Sequence, residues 1–237
     1  MGPSVDLIVI GAGPAGCAAA IWAAARGLSV HLVERLHSPR VRPGECLHPG
    51  IEVLFRDLAV LDEVLEQCTI RSAARTTVIH GRRSLASFGA DADGAWRALH
   101  VARAELDAIL LKRAKELGVR LHIHRSRVTP IVRNEMVEGV ELDGQPFRSS
   151  FVIDASGQRG WLTRSMGLKH LAVSPRLTAF YGYCEGRLFE EQLFEQIINE
   201  RGVEARHTPC AEALTIQQHI VSNHANACLV HTTLAGA

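Results

Sequence analysis

The feature that most limits this chain is the glycine spacing Gly11-Ala12-Gly13-Pro14-Ala15-Gly16, set directly after the apolar run Leu7, Ile8, Val9 and Ile10. Four consecutive apolar residues running into glycine read as a short strand buried on both faces, as in a parallel sheet. Residues 14–26 are alanine-rich with no β-branched run, which predicts a helix. Gly27 stops it, and residues 28–33 read as a second strand carrying Glu34 at its tip. In such a strand–turn–helix–strand unit, Gly11 allows the tight turn and Gly13 lets a pyrophosphate approach the backbone. Gly16 lets helix and strand pack closely. The helix N-terminus offers N–H groups and a positive dipole end to phosphates. Glu34, eighteen residues beyond Gly16, is placed to accept hydrogen bonds from a ribose, and its charge disfavours the 2′-phosphate of NADP. The glycine pattern alone is a weak signal. Strand, helix, second strand and acid in one register make it a dinucleotide site rather than an ordinary glycine-rich turn.

A chain of 237 residues holds one large domain or two small ones. Its hydrophobic share of 47% and charged share of 22% fit a soluble globular protein. A formal charge of +1, with no basic cluster interleaved with aromatics, gives no electrostatic case for nucleic acid as a partner. The run Leu7 to Ile10 is too short for the core of a signal peptide. No stretch approaches the roughly 20 apolar residues of a membrane span. The alanine-rich helix, interrupted by Trp22 and Arg26, is expected to lie buried between the sheet and a neighbour. Six cysteines without a C-x-x-C suit a reducing cytoplasm, the expected location.

Further along, residues 36–50 are rich in Pro, Gly and Arg and read as a loop. Residues 51–66 carry Ile51, Leu54, Leu58, Leu61 and Leu65 at near-helical spacing. Residues 75–99 read as strands and turns, a β-rich insertion. Residues 100–118 predict a helix with Leu106, Ile109, Leu110, Ala114 and Leu117 on its apolar face and Gly118 as its stop. Residues 119–124 then return to the sheet as a strand. Residues 128–133 and 136–142 read as a hairpin pair, ended by the turn signal Asp143-Gly144. Residues 151–153 predict a short buried strand running into Asp154-Ala155-Ser156-Gly157, at the end of an open α/β sheet where ligands bind. Residues 177–185 alternate like a strand, residues 189–200 suggest a helix, and the remaining C-terminal stretch has no assignable period.

Together these blocks resemble the FAD-dependent flavoprotein monooxygenase superfamily, including its halogenase-like and geranylgeranyl-reductase-like branches. GAGPAG with Glu34 matches the block that holds the ADP half of FAD. On that likeness Gly11, Gly13, Pro14, Ala15, Gly16, Glu34 and Arg35 contact the cofactor. RPGECLHPG is similar to the family's P-G-E-x-L-x-P loop beside the flavin, which implies Arg42, Gly44 and Glu45. VARAELD places Arg103 where the family's arginine meets FAD, and Val128 sits where a backbone contact to adenine is typical. DASG adds Asp154, Ala155 and Gly157. The implied fold is α/β: a Rossmann-like three-layer FAD-binding domain, residues 1–70 and 100–167, with a β-rich substrate portion, residues 71–99 and 168–237. The family continues to a G-D-A block that holds the ribityl chain and flavin ring. No such block follows here, so the chain is expected to be a truncated or altered-end member.

The resemblance implies an FAD-dependent oxidoreductase: a monooxygenase that passes an oxygen atom from a flavin C4a-hydroperoxide to a small aromatic or carrier-bound metabolite. NADH or NADPH as electron donor, or a flavin reductase as partner, goes with it. Halogenation is the weaker branch, because the only lysines are Lys112, Lys115 and Lys169 and no W-x-W is present. The competing reading is a non-catalytic nucleotide-binding protein or partner subunit. No nucleophile–base constellation is visible, so the catalytic residues stay unassigned; the cofactor would carry the chemistry. Arg42 and Arg103 suit a pyrophosphate through their bidentate forks, against the reading of an exposed surface arginine, which weighs more on Arg42. Glu45 faces either the flavin or solvent, and Asp154 bonds either the cofactor or its own loop. Cys46 reads as a small buried thiol rather than a flavin attachment point. Trp22, Trp96 and Trp161 read as packing residues. Cys210, His219, His224 and Cys228 lack zinc-finger spacing.

Overall fold

A computed structural model describes residues 5–36, 45–79, 82–125, 127–169 and 171, and the strands Leu177–Glu185, Leu193–Ile198, Glu204–Cys210 and Leu214–Ser222. The chain divides into two units, residues 1–40, 55–61 and 104–171, and residues 41–54, 62–103 and 172–237.

The first unit is built on β1 (Val5–Ile10), α1 (Pro14–Ala24) and β2 (Val30–Glu34), followed by α2 (Arg103–Glu116) and β3 (Arg120–Ile123). It closes with β4 (Thr129–Arg133), β5 (Met136–Leu142), β6 (Gln145–Asp154) and the short α3 (Trp161–Ser165). The sheet order is β3-β2-β1-β6-β5-β4. β1 pairs in parallel with β2 and with the second half of β6, and β3 extends the parallel set at the other edge of β2. The first half of β6 pairs antiparallel with β5. One ten-residue strand therefore joins the parallel sheet to an antiparallel meander. Asn134 and Glu135, at φ 48° and 63°, make the β4–β5 turn in the left-handed pair of conformations that suits the strand twist. Asp143 and Gly144 turn β5 into β6, as their spacing predicts.

Alternation along the strands sorts the core. Ile8, Ile10 and Val33 pack against Val140 and Leu142 of the meander, joined by Val128, Phe147, Val152 and Trp161. Leu7, Val9 and Leu32 are equally buried and face the other way. On α1 Cys17, Ala20 and Ile21 are buried, and on α2 Leu106, Ile109, Leu110 and Ala114 are. Each large aliphatic side chain buried this way contributes about 1.5–3 kcal/mol.

Four expectations about the elements and their packing in the fold need correction here. The apolar run over residues 51–66 forms two helices, Ile51–Asp57 and Leu61–Glu66. Ala59 adopts φ 55°, and Val60 N–H bonds the Phe55 carbonyl, closing the first helix with a left-handed cap. The run Phe151 to Ile153 lies at the end of β6 and is not a short buried strand: Phe151 is 71% exposed and Ile153 39%. Their strand is paired on the β1 side, while β5 reaches only as far as Arg148. Of the three tryptophans, Trp22 and Trp96 are substantially exposed. Trp22 instead carries the Arg26 guanidinium 3.8 Å over its ring, and Trp96 donates its indole N–H to Asp91 at 2.8 Å.

The second unit is β-rich. Ala98–Val101 lies between Glu45–Leu47 and Cys68–Ser72 in a three-stranded antiparallel sheet. A six-stranded sheet runs Leu177–Glu185, Leu214–Ser222, Glu204–Cys210, Leu193–Ile198, Ala74–Ile79, Arg82–Ser87. The fourth correction falls here: within the helix expected over residues 189–200, Leu193–Ile198 is a strand. It pairs in parallel with Ala74–Ile79 and antiparallel with Glu204–Cys210, so ladder partners on both edges override a weak helical preference. Among the described residues no helix is long and apolar enough to cross a membrane.

Candidate dinucleotide-binding site

The glycine turn connects three chain segments of the first unit. Gly11 N–H donates to the Val33 carbonyl at 2.7 Å, and Ala155 N–H donates to the Ile10 carbonyl at 2.9 Å. Gly11 sits at φ 104°, and a Cβ there would lie 2.5 Å from the Ala155 carbonyl oxygen. A Cβ on Gly16 would lie 1.8 Å from the Gly11 carbonyl oxygen. Both contacts are with backbone that has no room to give, so the helix start, the end of β1 and the end of β6 meet only because these positions are glycine.

α1 begins at Gly13, with Pro14 in its first turn, no side chain capping it and no acid in that turn. Its first internal bond is Cys17 N–H to the Gly13 carbonyl at 2.9 Å. The N–H groups of Ala15 and Gly16 thus precede the helical ladder, and with the dipole they form a fitting cradle for a pyrophosphate. Burial pushes the Cys17 thiol up to about 12, aided by the nearby Asp107 and Glu34 charges, so this cysteine is an inert packing group.

Glu34 is only 7% exposed. Its Oε2 accepts the Ala12 N–H at 2.9 Å, and its Oε1 accepts the N–H groups of Arg35 and Leu36 at 2.7 and 2.9 Å. The carboxylate therefore ties the glycine turn to the tip of β2. That task in the turn itself is one the motif spacing does not announce. Asp154 bonds its own loop: Oδ1 accepts Ser156 N–H at 3.0 Å and Oδ2 accepts Leu162 N–H at 2.8 Å. Ser156 Oγ accepts Trp161 N–H at 2.9 Å, and the Trp161 indole donates to the Val128 carbonyl at 2.8 Å. Trp161 thus joins the Asp154 loop to Val128 as well as filling the core, a link that pattern reading could not supply. Beside this loop lies an open hollow of about 350 Å³, lined in part by Asp154, Gln158, Thr163 and Leu168.

Gly11, Gly13, Pro14, Ala15, Gly16, Glu34, Arg35, Val128, Asp154, Ala155 and Gly157 all belong to the first unit. Arg42 and Gly44 lie outside the described residues, as does the Glu45 side chain. Arg103 opens α2 and is grouped with the second unit. Cys46 is exposed, contrary to the expected burial, in a three-residue strand paired with Ala98–Val101. Across that pairing its Sγ lies 3.9 Å from His100 Nε2. His100, 1% exposed, also places Nε2 2.9 Å from Ser72 Oγ, and burial lowers its pKa to about 4.

Residues 4–182 match the profile of a family described as FAD binding domain. The flavin-dependent halogenase armH5 of Armillaria mellea is 29% identical over 210 residues, covering 79% of this chain and 39% of the halogenase. The menaquinone reductase of Mycolicibacterium smegmatis is 30% identical over 178 residues, covering 70% of this chain and 41% of the reductase. Among solved structures, a flavoprotein/dehydrogenase from Cytophaga hutchinsonii superposes with a TM-score of 0.80 at 23% identity, covering 93% of this chain and 56% of that one. The chain spans about two fifths of the length of these curated relatives.

Proposed function

The chain belongs to the FAD binding domain family, and from that premise we propose that it is an FAD-dependent oxidoreductase, a monooxygenase acting on a small aromatic or carrier-bound metabolite. FAD is the cofactor, and when bound it supplies the redox chemistry with dioxygen. The observation that carries the reading is the cradle of Gly11, Gly13 and Gly16 at an uncapped helix start, braced by the buried Glu34.

In this reading the Ala15 and Gly16 N–H groups hold the pyrophosphate, and Glu34 orients the turn beside the ribose. The Val128 backbone flanks adenine, and the Asp154-Ala155-Ser156-Gly157 loop shapes the wall beside the phosphates. Arg35, Arg42 and Arg103 balance the cofactor's negative charge. Gly44 and Glu45 belong to the loop on the flavin side. The substrate portion comprises residues 71–99 and 168–237, and the electrons come from NADH or NADPH, directly or through a flavin reductase. No side chain is assigned as catalytic acid or base; the protein's part is to orient the cofactor and exclude water.

Halogenation or reduction is the second reading, supported by the halogenase of Armillaria and the menaquinone reductase of Mycolicibacterium among its relatives. The test is to load the purified chain with FAD and follow NADH and NADPH oxidation, oxygen uptake and products from electron-rich aromatics, with and without bromide. Hydroxylated product supports the monooxygenase, and halide-dependent product moves the reading to halogenation. Bound FAD with no turnover under any donor refutes an enzyme in favour of a nucleotide-binding partner.

A further inference from the structure

Three histidines share the meander-facing side of the parallel sheet at its β3 edge. The His31 ring on β2 lies 4.7 Å from the His122 ring on β3, centroid to centroid. Phe147 of β6 presents its ring edge-on to both, at 6.0 and 5.3 Å. His124, just past β3, is 7% exposed, and its Nδ1 sits 3.2 Å from Asp143 Oδ2 in the β5–β6 turn. Three buried ring nitrogens, His31 Nδ1, His122 Nε2 and His124 Nε2, have no hydrogen-bond partner among the described residues. Among the described residues no three His, Cys, Asp or Glu side chains are placed to hold a metal ion.

Protonation makes both nitrogens of an imidazole donors. A charged His31 or His122 would then bury an N–H with no acceptor among the described residues, a desolvation cost that nothing offsets. Two such rings 4.7 Å apart would also repel. The charged neighbours mostly add to this. Arg120 on β3 disfavours a charge on His31 and His122, and His124 disfavours one on His122. Arg125 follows His124 in the chain. From the β5–β6 turn Asp143 brings a counter-charge to His124. β1 contributes Ile8 and Ile10 to this face, and β6 contributes Phe147. Desolvation holds the pKa of both His31 and His122 below the ordinary histidine value.

This edge is coupled to the cofactor cradle through β2. His124 N–H donates to the Glu34 carbonyl at 2.7 Å, and Ile123 stands opposite Glu34 in the register. We infer that the His31–His122 pair is an acid-sensitive catch: its protonation loosens β3 and the meander from β2, shifts Glu34 through the His124 backbone bond and releases FAD. The cofactor part of this inference rests on the FAD reading above. Sign follows from linkage. A histidine held below its ordinary pKa of about 6.5 stabilises the fold above that pH, and the contribution is lost as pH falls through the folded value.

The test compares the wild-type chain with the His31→Leu/His122→Leu double variant, from about pH 8 to about pH 5, across the ordinary histidine pKa. Two quantities are read: the melting temperature without FAD, and the flavin fluorescence released from the loaded protein. Wild type should lose melting temperature and shed FAD on acidification. The variant should keep more of both, leaving the shallower slope that buried His100 supplies in each protein. Equal slopes in the two proteins would overturn the inference. If the variant does not fold, ring-proton NMR titration of wild type decides: His31 and His122 titrating below the ordinary value support the catch, and titration at or above it sinks it. A wild type that binds no FAD at about pH 8 would instead refute the cofactor reading, while the FAD-free melting curves still judge the catch.

Discussion

Replacing Glu34 with glutamine separates a carboxylate that merely meets a ribose from one that builds the turn. Two oxygens now serve three backbone N–H groups, those of Ala12, Arg35 and Leu36, at 2.7 to 2.9 Å. Glutamine has one oxygen and one donor group. If the oxygen stays on Arg35 and Leu36, the new NH₂ faces the Ala12 N–H, donor against donor; if it flips, two N–H groups lose their acceptor. Even the better arrangement leaves a buried N–H unsatisfied, about 1–3 kcal/mol, and weakens the two remaining bonds by removing the charge. A total of about 2–4 kcal/mol follows, which for a chain of this size lowers Tm by about 5–15 °C. The assay is thermal unfolding by circular dichroism of both proteins without FAD. A Glu34→Gln protein that melts with wild type, yet binds FAD more weakly, would refute the structural role and return Glu34 to the ribose alone.

Gly16→Ala drives a methyl to 1.8 Å from the Gly11 carbonyl oxygen, so α1 must back away from β1. Overpacking of this kind costs about 1–3 kcal/mol or more, and an FAD titration should show binding lost along with a lowered Tm. Buried His100, with its pKa near 4, stabilises the fold above about pH 6.5 and loses that contribution as pH falls through 4, a term of up to about 3 kcal/mol. Urea unfolding of His100→Gln at both ends of that window should show a flatter pH dependence than wild type. Phe151→Ser, at a position 71% exposed, should change stability by no more than about 0.5 kcal/mol. A large loss would mean that the outer edge of β6 is covered in solution.

The legible parts of this fold are those whose signal is local. β1, the glycine turn, α1 and β2 follow from an apolar run, three glycines and an alanine-rich segment, because backbone sterics at Gly11 and Gly16 leave few alternatives. The Asp143-Gly144 turn is legible for the same reason. Leu193–Ile198 was hidden because its state depends on Ala74–Ile79, far off in the chain. The break at Ala59 was hidden because alanine carries no signal for a left-handed cap. At the site, residue types could mark Glu34 and Asp154 as important. They could not show that both carboxylates spend oxygens on backbone N–H groups, since those partners appear only when the loops close. The histidine cluster did leave a trace: His31, His122 and His124 occupy inward positions of V-H-L-V and L-H-I-H, where alternation calls for apolar residues.

The central claim is that the glycine cradle and its Glu34 brace hold FAD, and it is tested most directly by titrating the purified wild-type chain and Gly16→Ala with FAD, read by flavin absorbance and fluorescence quenching. One FAD should bind per wild-type chain and none to the variant. Equal binding by the two proteins, or no binding by wild type, would contradict it.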